Sequence, residues 1–180
     1  MIYMFLANGF EEVEALAPLD LLLRAGANIK TAAIGVSSKT VTGAHGIKIE
    51  ADMAEDEVKL SDIDMVILPG GMPGAANLDA SETLTRVLEY AHKNGAHLAA
   101  ICAAPMVLGH RGYLDGKSAV CYPGFEGELK GATYIPAPVV RDGKIITAVG
   151  MGAALEFGLE LVSCLFGEEK AEKLRLATKI

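Results

Sequence analysis

The sequence predicts an α/β protein, a mainly parallel sheet with helices on both of its faces, and two observations predict it. Continuous apolar runs at Ile2–Leu6, Ile29–Ile34, Met65–Leu68 and His97–Ile101 have the length and unbroken hydrophobicity of strands covered on both sides. Between them, Glu11–Arg24 and Ser81–Lys93 space their apolar residues for one buried helical face and end at the stop signals Ala25-Gly26 and Asn94-Gly95. Strand and helix alternate, as they do along a parallel sheet.

The remaining elements follow in order. Val41–Glu50, around Gly43 and Gly46, and Val139–Thr147, around Asp142-Gly143, read as hairpins that add antiparallel edge strands, the second through a type I′ turn. Ala153–Phe166 reads as a long amphipathic helix and the charged GEEKAEKLR after it as a short final one.

Composition narrows the function. The chain has 180 residues, 51% of them apolar, and no linker-like stretch, so a single domain spanning 1–180 is expected. Sixteen Lys and Arg stand against 23 Asp and Glu, a net charge of -7, which argues against a nucleic acid partner. The opening MIYMFLANG lacks the parts of a signal peptide, and no segment approaches a membrane span, so a cytoplasmic protein without a membrane partner is expected. Cys102, Cys121 and Cys164 fit neither a disulfide framework nor a zinc pattern, so reduced thiols and no metal are expected.

Cys102 carries the chemistry. It follows the strand-like His97–Ile101, and Pro105 behind it suits the first turn of a helix. That layout is a nucleophile elbow with cysteine in place of serine, where a helix N-terminus would lower the thiol pKa. The alternative is a buried core thiol. The Gly70-Gly71 turn in MVILPGGMPGAANL ends the preceding strand, and the amides of Gly71 and Ala103 are proposed as an oxyanion hole, with Gly70 in the pocket wall. Glu11 and Glu12 read as first-turn residues that complement the helix dipole. Glu14 differs: it shares a helix face with Pro18, and if it points into the site burial would raise its pKa and let it shuttle protons. His92, His97 and His110 lack ligand spacing, Cys121 reads as a structural thiol, and Cys164 reads as core.

Five segments in order, GFEEVEALAPLDLLLRAG, GAHGI-x-I-x-AD, LPGGMPGAANL, AAICAAP and GMGAALEFGLELV, resemble the ThiJ/PfpI superfamily, close to its DJ-one branch. The resemblance implies a flavodoxin-like three-layer sandwich of the class I glutamine amidotransferase-like kind, a homodimer, a reactive cysteine at Cys102, a buried glutamate at Glu14 and oxyanion amides at Gly71 and Ala103. It also implies cofactor-independent chemistry on small reactive aldehydes, as a glutathione-independent glyoxalase or a deglycase of glyoxal adducts. Four departures matter. Ala103 follows the cysteine where the protease-like branch has histidine, Tyr122 stands where the DJ-one branch often has histidine, His45 stands where some members have arginine, and Gly150-Met151-Gly152-Ala153 replaces a Gly-Pro-Gly-Thr pattern in the pocket wall. Tyr122 and His45 are therefore pocket candidates without an assigned role. The alternatives are a redox-responsive stress protein or chaperone that senses oxidants through Cys102, and a hydrolase of small esters or peptides.

Overall fold

The computed structural model describes residues 1–180. Strands β1 (Ile2–Ala7), β2 (Ile29–Ile34), β6 (Met65–Leu68), β7 (His97–Ile101) and β11 (Ile145–Ala148) form the centre of a sheet, with β5 (Met53–Ala54) beyond β2 and β10 (Val139–Asp142) beyond β11. The sheet order is β10-β11-β7-β6-β1-β2-β5, and every pairing is parallel except β10 with β11. Its five central strands follow the flavodoxin order, with β2 and β6 laid down on opposite sides of β1.

Strand alternation divides the core in two. Along β1, Tyr3, Phe5 and Ala7 face one layer while Ile2, Met4 and Leu6 face the other; along β6, Val66 and Leu68 oppose Met65 and Ile67. The first layer packs against α2 (Gly74–Asp79), α3 (Glu82–Lys93) and α4 (Pro105–His110). The second packs against α1 (Glu12–Ala25) and α5 (Ala154–Phe166), with α6 (Glu168–Thr178) outside them. Each fully buried Leu or Phe contributes roughly 1.5–3 kcal/mol, so two continuous apolar layers hold the sheet ends in place for the loops that carry function. Close approach of α1 and α5 needs Gly158, where a Cβ would lie 2.9 Å from Pro18 Cα. No helix is long and apolar enough to cross a membrane.

Helix punctuation matches the sequence. Gly26 closes α1 in the left-handed region at φ 86°, and Ser81 caps α3 by accepting the Leu84 N–H. The hairpins depart from expectation. β3 (Thr40–Thr42) and β4 (Lys48–Glu50) pair antiparallel but form a separate two-stranded sheet rather than an edge. In the second hairpin only β10 is an antiparallel edge, because β11 inserts parallel to β7. Its turn residues are Gly143-Lys144, since Asp142 pairs with Ile145, and only Gly143 has positive φ, which excludes the type I′ turn. A short parallel pair, β8 (Ser118–Ala119) with β9 (Thr133–Tyr134), completes the set.

Candidate active site

The C-terminal ends of β1, β6 and β7 converge at the reversal of strand order, where open α/β sheets leave a crevice. The loop after β1 leads into α1 with Glu14, the loop after β6 holds Gly70 and Gly71, and Cys102 follows β7 directly.

Cys102 has φ 65°, a left-handed conformation uncommon for a residue with a Cβ. Strain of this kind costs of order 1–3 kcal/mol and persists only where neighbours fix it. Here the Cys102 N–H donates to the Ala148 carbonyl at 2.9 Å and the Cys102 carbonyl accepts the Tyr122 N–H at 2.8 Å. The elbow is thus clamped between the end of β11 and the 121–125 loop. The side chain remains partly exposed, and the N–H groups of Gly71 and Ala103 face its sulfur. Gly71 needs its φ of 85° and its missing Cβ, which would sit 2.5 Å from the Glu11 nitrogen.

Glu14 is 1% exposed. Its Oε2 accepts the Gly70 N–H at 2.9 Å, and the Met151 N–H also donates to the carboxyl. Gly70 lies between the Cys102 and Glu14 side chains: a Cβ there would lie 2.6 Å from both Cys102 Cβ and Glu14 Oε2. Only glycine lets them approach one another.

The protonation of the pair follows from burial. Desolvation raises Glu14 to about 7, opposed by its hydrogen bond with Cys102 and assisted by the negative charge of Glu11. Burial and the adjacent Glu14 carboxylate push the Cys102 thiol up to about 12, while the Gly71 and Ala103 amides pull it down. This runs opposite to the expectation of a lowered thiol pKa, because burial and the neighbouring carboxyl outweigh the two amides that favour the thiolate. The two groups titrate as a pair, and a protonated Glu14 removes the charge that most directly opposes a thiolate.

Other predicted residues fall around this centre. Tyr122 is half-exposed and covers Gly150, where a Cβ would lie 3.2 Å from its ring and 3.9 Å from Glu14 Oε1. His45, in the β3–β4 turn, is held by Glu12: its Nδ1 lies 2.7 Å from Glu12 Oε2 and its N–H donates to Glu12 Oε1 at 2.8 Å. That hydrogen bond raises the His45 pKa. Glu11 is the N-cap of α1, not a first-turn residue, and its carboxylate accepts the Glu14 N–H at 2.7 Å. Glu12 does stand in the first turn and is buried there, and against that burial its bonds to His45 hold its pKa down. Glu11, Glu12 and His45 offer three donor atoms within 4.8 Å of one another, the geometry a cation would need, although His45 already pairs with Glu12.

Cys121 is fully buried, as a structural thiol should be. Cys164 is only partly buried and donates to Glu160 at 3.6 Å, so it is not a core residue. His110 bridges Asp79 at 2.8 Å and Glu128 at 2.7 Å, which raises its pKa and ties α2 to the loop beyond Tyr122. Sequence reasoning missed the Met151 amide, whose only signal was the glycine pair flanking it, and the Glu12 anchor, which nothing in the linear pattern marked.

The profile of the DJ-1/PfpI family matches residues 1–164. Protein DJ-1 homolog B of Arabidopsis thaliana is 38% identical over 97% of this chain, but the chain spans only 40% of that longer relative. The glutathione-independent glyoxalase DJR-1.2 of Caenorhabditis elegans is 34% identical over 91% of this chain and 87% of that protein. Among solved structures, oxidized DJ-1 of Toxoplasma gondii superposes with a TM-score of 0.94 at 34% identity, covering 98% of this chain and 96% of that one.

Proposed function

The chain belongs to the DJ-1/PfpI family, and from that premise we propose that it is a cysteine-dependent enzyme acting on small reactive aldehydes without an organic cofactor. The observation that supports this most is the buried Glu14 carboxyl, pushed up to about 7 and set against Cys102 across Gly70. An acid with a pKa near neutrality is suited to both accept and return a proton. The relative named a glutathione-independent glyoxalase adds weight to the same reading.

For methylglyoxal, the Cys102 sulfur adds to the aldehyde carbon while its proton goes to the carbonyl oxygen, giving a hemithioacetal. Glu14 carboxylate removes the remaining proton from that carbon and passes it to the ketone oxygen, giving an enediol; it then takes the hydroxyl proton from the sulfur-bearing carbon and delivers it to the neighbouring carbon, leaving a thioester. Water cleaves the thioester to lactate and regenerates the thiol. The Gly71 and Ala103 amides stabilise oxyanions at the sulfur-bearing carbon. Tyr122, over Gly150, walls the pocket. Deglycation of an amine- or thiol-borne glyoxal adduct would begin with the same attack.

The homodimer belongs to this proposal. Val13 and Leu16 on α1 and Ile47 in the hairpin are exposed apolar side chains that association would cover. Purified protein should release lactate from methylglyoxal, and Cys102→Ala should lose at least about a thousandfold of that rate. Equal rates in the two proteins would overturn the proposal. Mild peroxide followed by mass spectrometry tests the oxidant-sensing alternative, which requires Cys102 to oxidise ahead of Cys121 and Cys164.

A further inference from the structure

The charges around the Cys102–Glu14 pair are unequal in sign. Glu11 holds its carboxylate against the Glu14 N–H at 2.7 Å and donates its own N–H to the Gly70 carbonyl at 2.9 Å. Its side chain is 15% exposed, and that of Glu12 beside it is 5% exposed. The only ionisable nitrogen facing this carboxylate pair is His45 Nδ1, 2.7 Å from Glu12 and 4.0 Å from Glu11. One imidazole against two carboxylates leaves the cluster net negative in either protonation state of His45. Glu11 also acts on the reacting centre itself, because its charge is felt by the Glu14 carboxyl. Charges this close lie inside the screening length of about 8 Å at physiological ionic strength, and their partial burial weakens screening further.

A substrate that brings a second negative charge into this field is repelled on entry and again when its carbonyl becomes an oxyanion. A neutral substrate meets only the second effect, and one bearing an ammonium group is attracted. Resting on the reading of Cys102 as an aldehyde-processing nucleophile, we propose that Glu11, offset in part by His45, makes the pocket a charge filter. It takes neutral or amine-bearing carbonyl compounds and discriminates against those carrying a carboxylate or phosphate.

The test compares 4,5-dioxopentanoate with its methyl ester, which present the same 2-oxoaldehyde with and without a distal charge. In the unsubstituted protein kcat/KM for the ester should exceed that for the acid about tenfold. Glu11→Gln keeps an acceptor for the Glu14 N–H, removes the charge and should narrow the ratio to about twofold. At the exposed His45, His45→Lys should narrow the ratio and His45→Glu widen it, each by about threefold. A merely structural role would change both substrates together and leave the ratio fixed. A ratio near one, a preference for the acid, or a ratio indifferent to these substitutions overturns the filter. Protection of Cys102 against iodoacetamide by each compound is measured alongside. If neither is turned over, the aldehyde reading fails, while stronger protection by the ester still supports the filter and equal protection still overturns it.

Discussion

β7 has buried ionisable groups at both of its ends, and the two ends have different fates. At its start His97 is 7% exposed, with Nδ1 buried and unpartnered and Nε2 3.1 Å from Lys144 Nζ; Cys164 borders the same small cavity. Burial, with the charges of Lys144 and Arg141, pushes His97 down to about 4, and burial pushes Cys164 up to about 11. Just past its end stand Cys102 and Glu14, shifted as strongly by the same desolvation. Perturbed protonation therefore does not distinguish the ends. Four backbone amides do: Gly71 and Ala103 face the sulfur, and Gly70 and Met151 face the carboxyl. With Cys102 held at positive φ, they make this end, under the proposed function, the one where charge can develop.

The sharpest way to break the comparison is Glu14→Gln, which should lower lactate formation by about a hundredfold or more. It should also expose an offset in stability. Because the folded Glu14 pKa of about 7 lies above its ordinary 4.5, the native state holds a proton that the unfolded chain releases, and stability falls as pH rises through that interval. His97 has the opposite sign: its folded pKa of about 4 lies below 6.5, so stability is lost as pH falls between them. Each is worth up to about 3 kcal/mol, and together they flatten the wild-type profile. Urea unfolding of Glu14→Gln from pH 4 to 8 should show stability rising with pH through the His97 interval. A profile parallel to that of the unsubstituted protein would mean that Glu14 is not held protonated.

Much of this asymmetry was legible in the sequence. The apolar run His97–Ile101 marked β7, and its junction with Cys102-Ala103-Ala104-Pro105 marked the elbow, because strand length and a proline at a helix start are local signals. Glu14 was reachable by its face and by resemblance. The hairpin at Val139–Thr147 was found but misplaced, since pairing of β11 with β7 is a tertiary choice that alternation cannot encode. The pKa of Cys102 was wrong in direction for a similar reason: the elbow suggested a helix dipole, whereas the neighbouring carboxylate and the depth of burial come from β1 and β6 folding beside it. Glu12 read as a first-turn complement to the helix dipole, and its second partner came only with the β3–β4 turn, which closes over it so tightly that Gly43 has no room for a Cβ.

A smaller effect is expected at Gly70, where the comparison sharpens into geometry. Gly70→Ala puts a methyl group 2.6 Å from Cys102 Cβ and Glu14 Oε2 and 2.8 Å from the Ile101 carbonyl. Those are backbone and fixed side-chain atoms, so the overpacking should destabilise by about 1–3 kcal/mol. Activity should fall by more than loss of folded protein explains, because the methyl group separates the acid from the thiol. Chemical denaturation and lactate assays on the same sample check both parts. An alanine variant of unchanged stability and activity would show that the two side chains do not need the gap.

The smallest effect should come from the other end. His97→Leu removes an imidazole whose Nδ1 has no partner, so the usual cost of a polar-to-apolar change is missing and an unsatisfied buried group disappears with it. The loss of the Lys144 contact is softened by solvent, and the balance should leave stability at pH 7 within about 1 kcal/mol of the unsubstituted protein. Turnover should stay within about twofold, since no group at this end reaches the Cys102 pocket. The pH profile should change more than either: without His97, the Glu14 contribution is unopposed and stability should decline as pH rises from 5 to 7. A large loss of turnover in His97→Leu would mean that the two ends of β7 are coupled. The convergent amides would then no longer suffice to explain why chemistry belongs to one end alone.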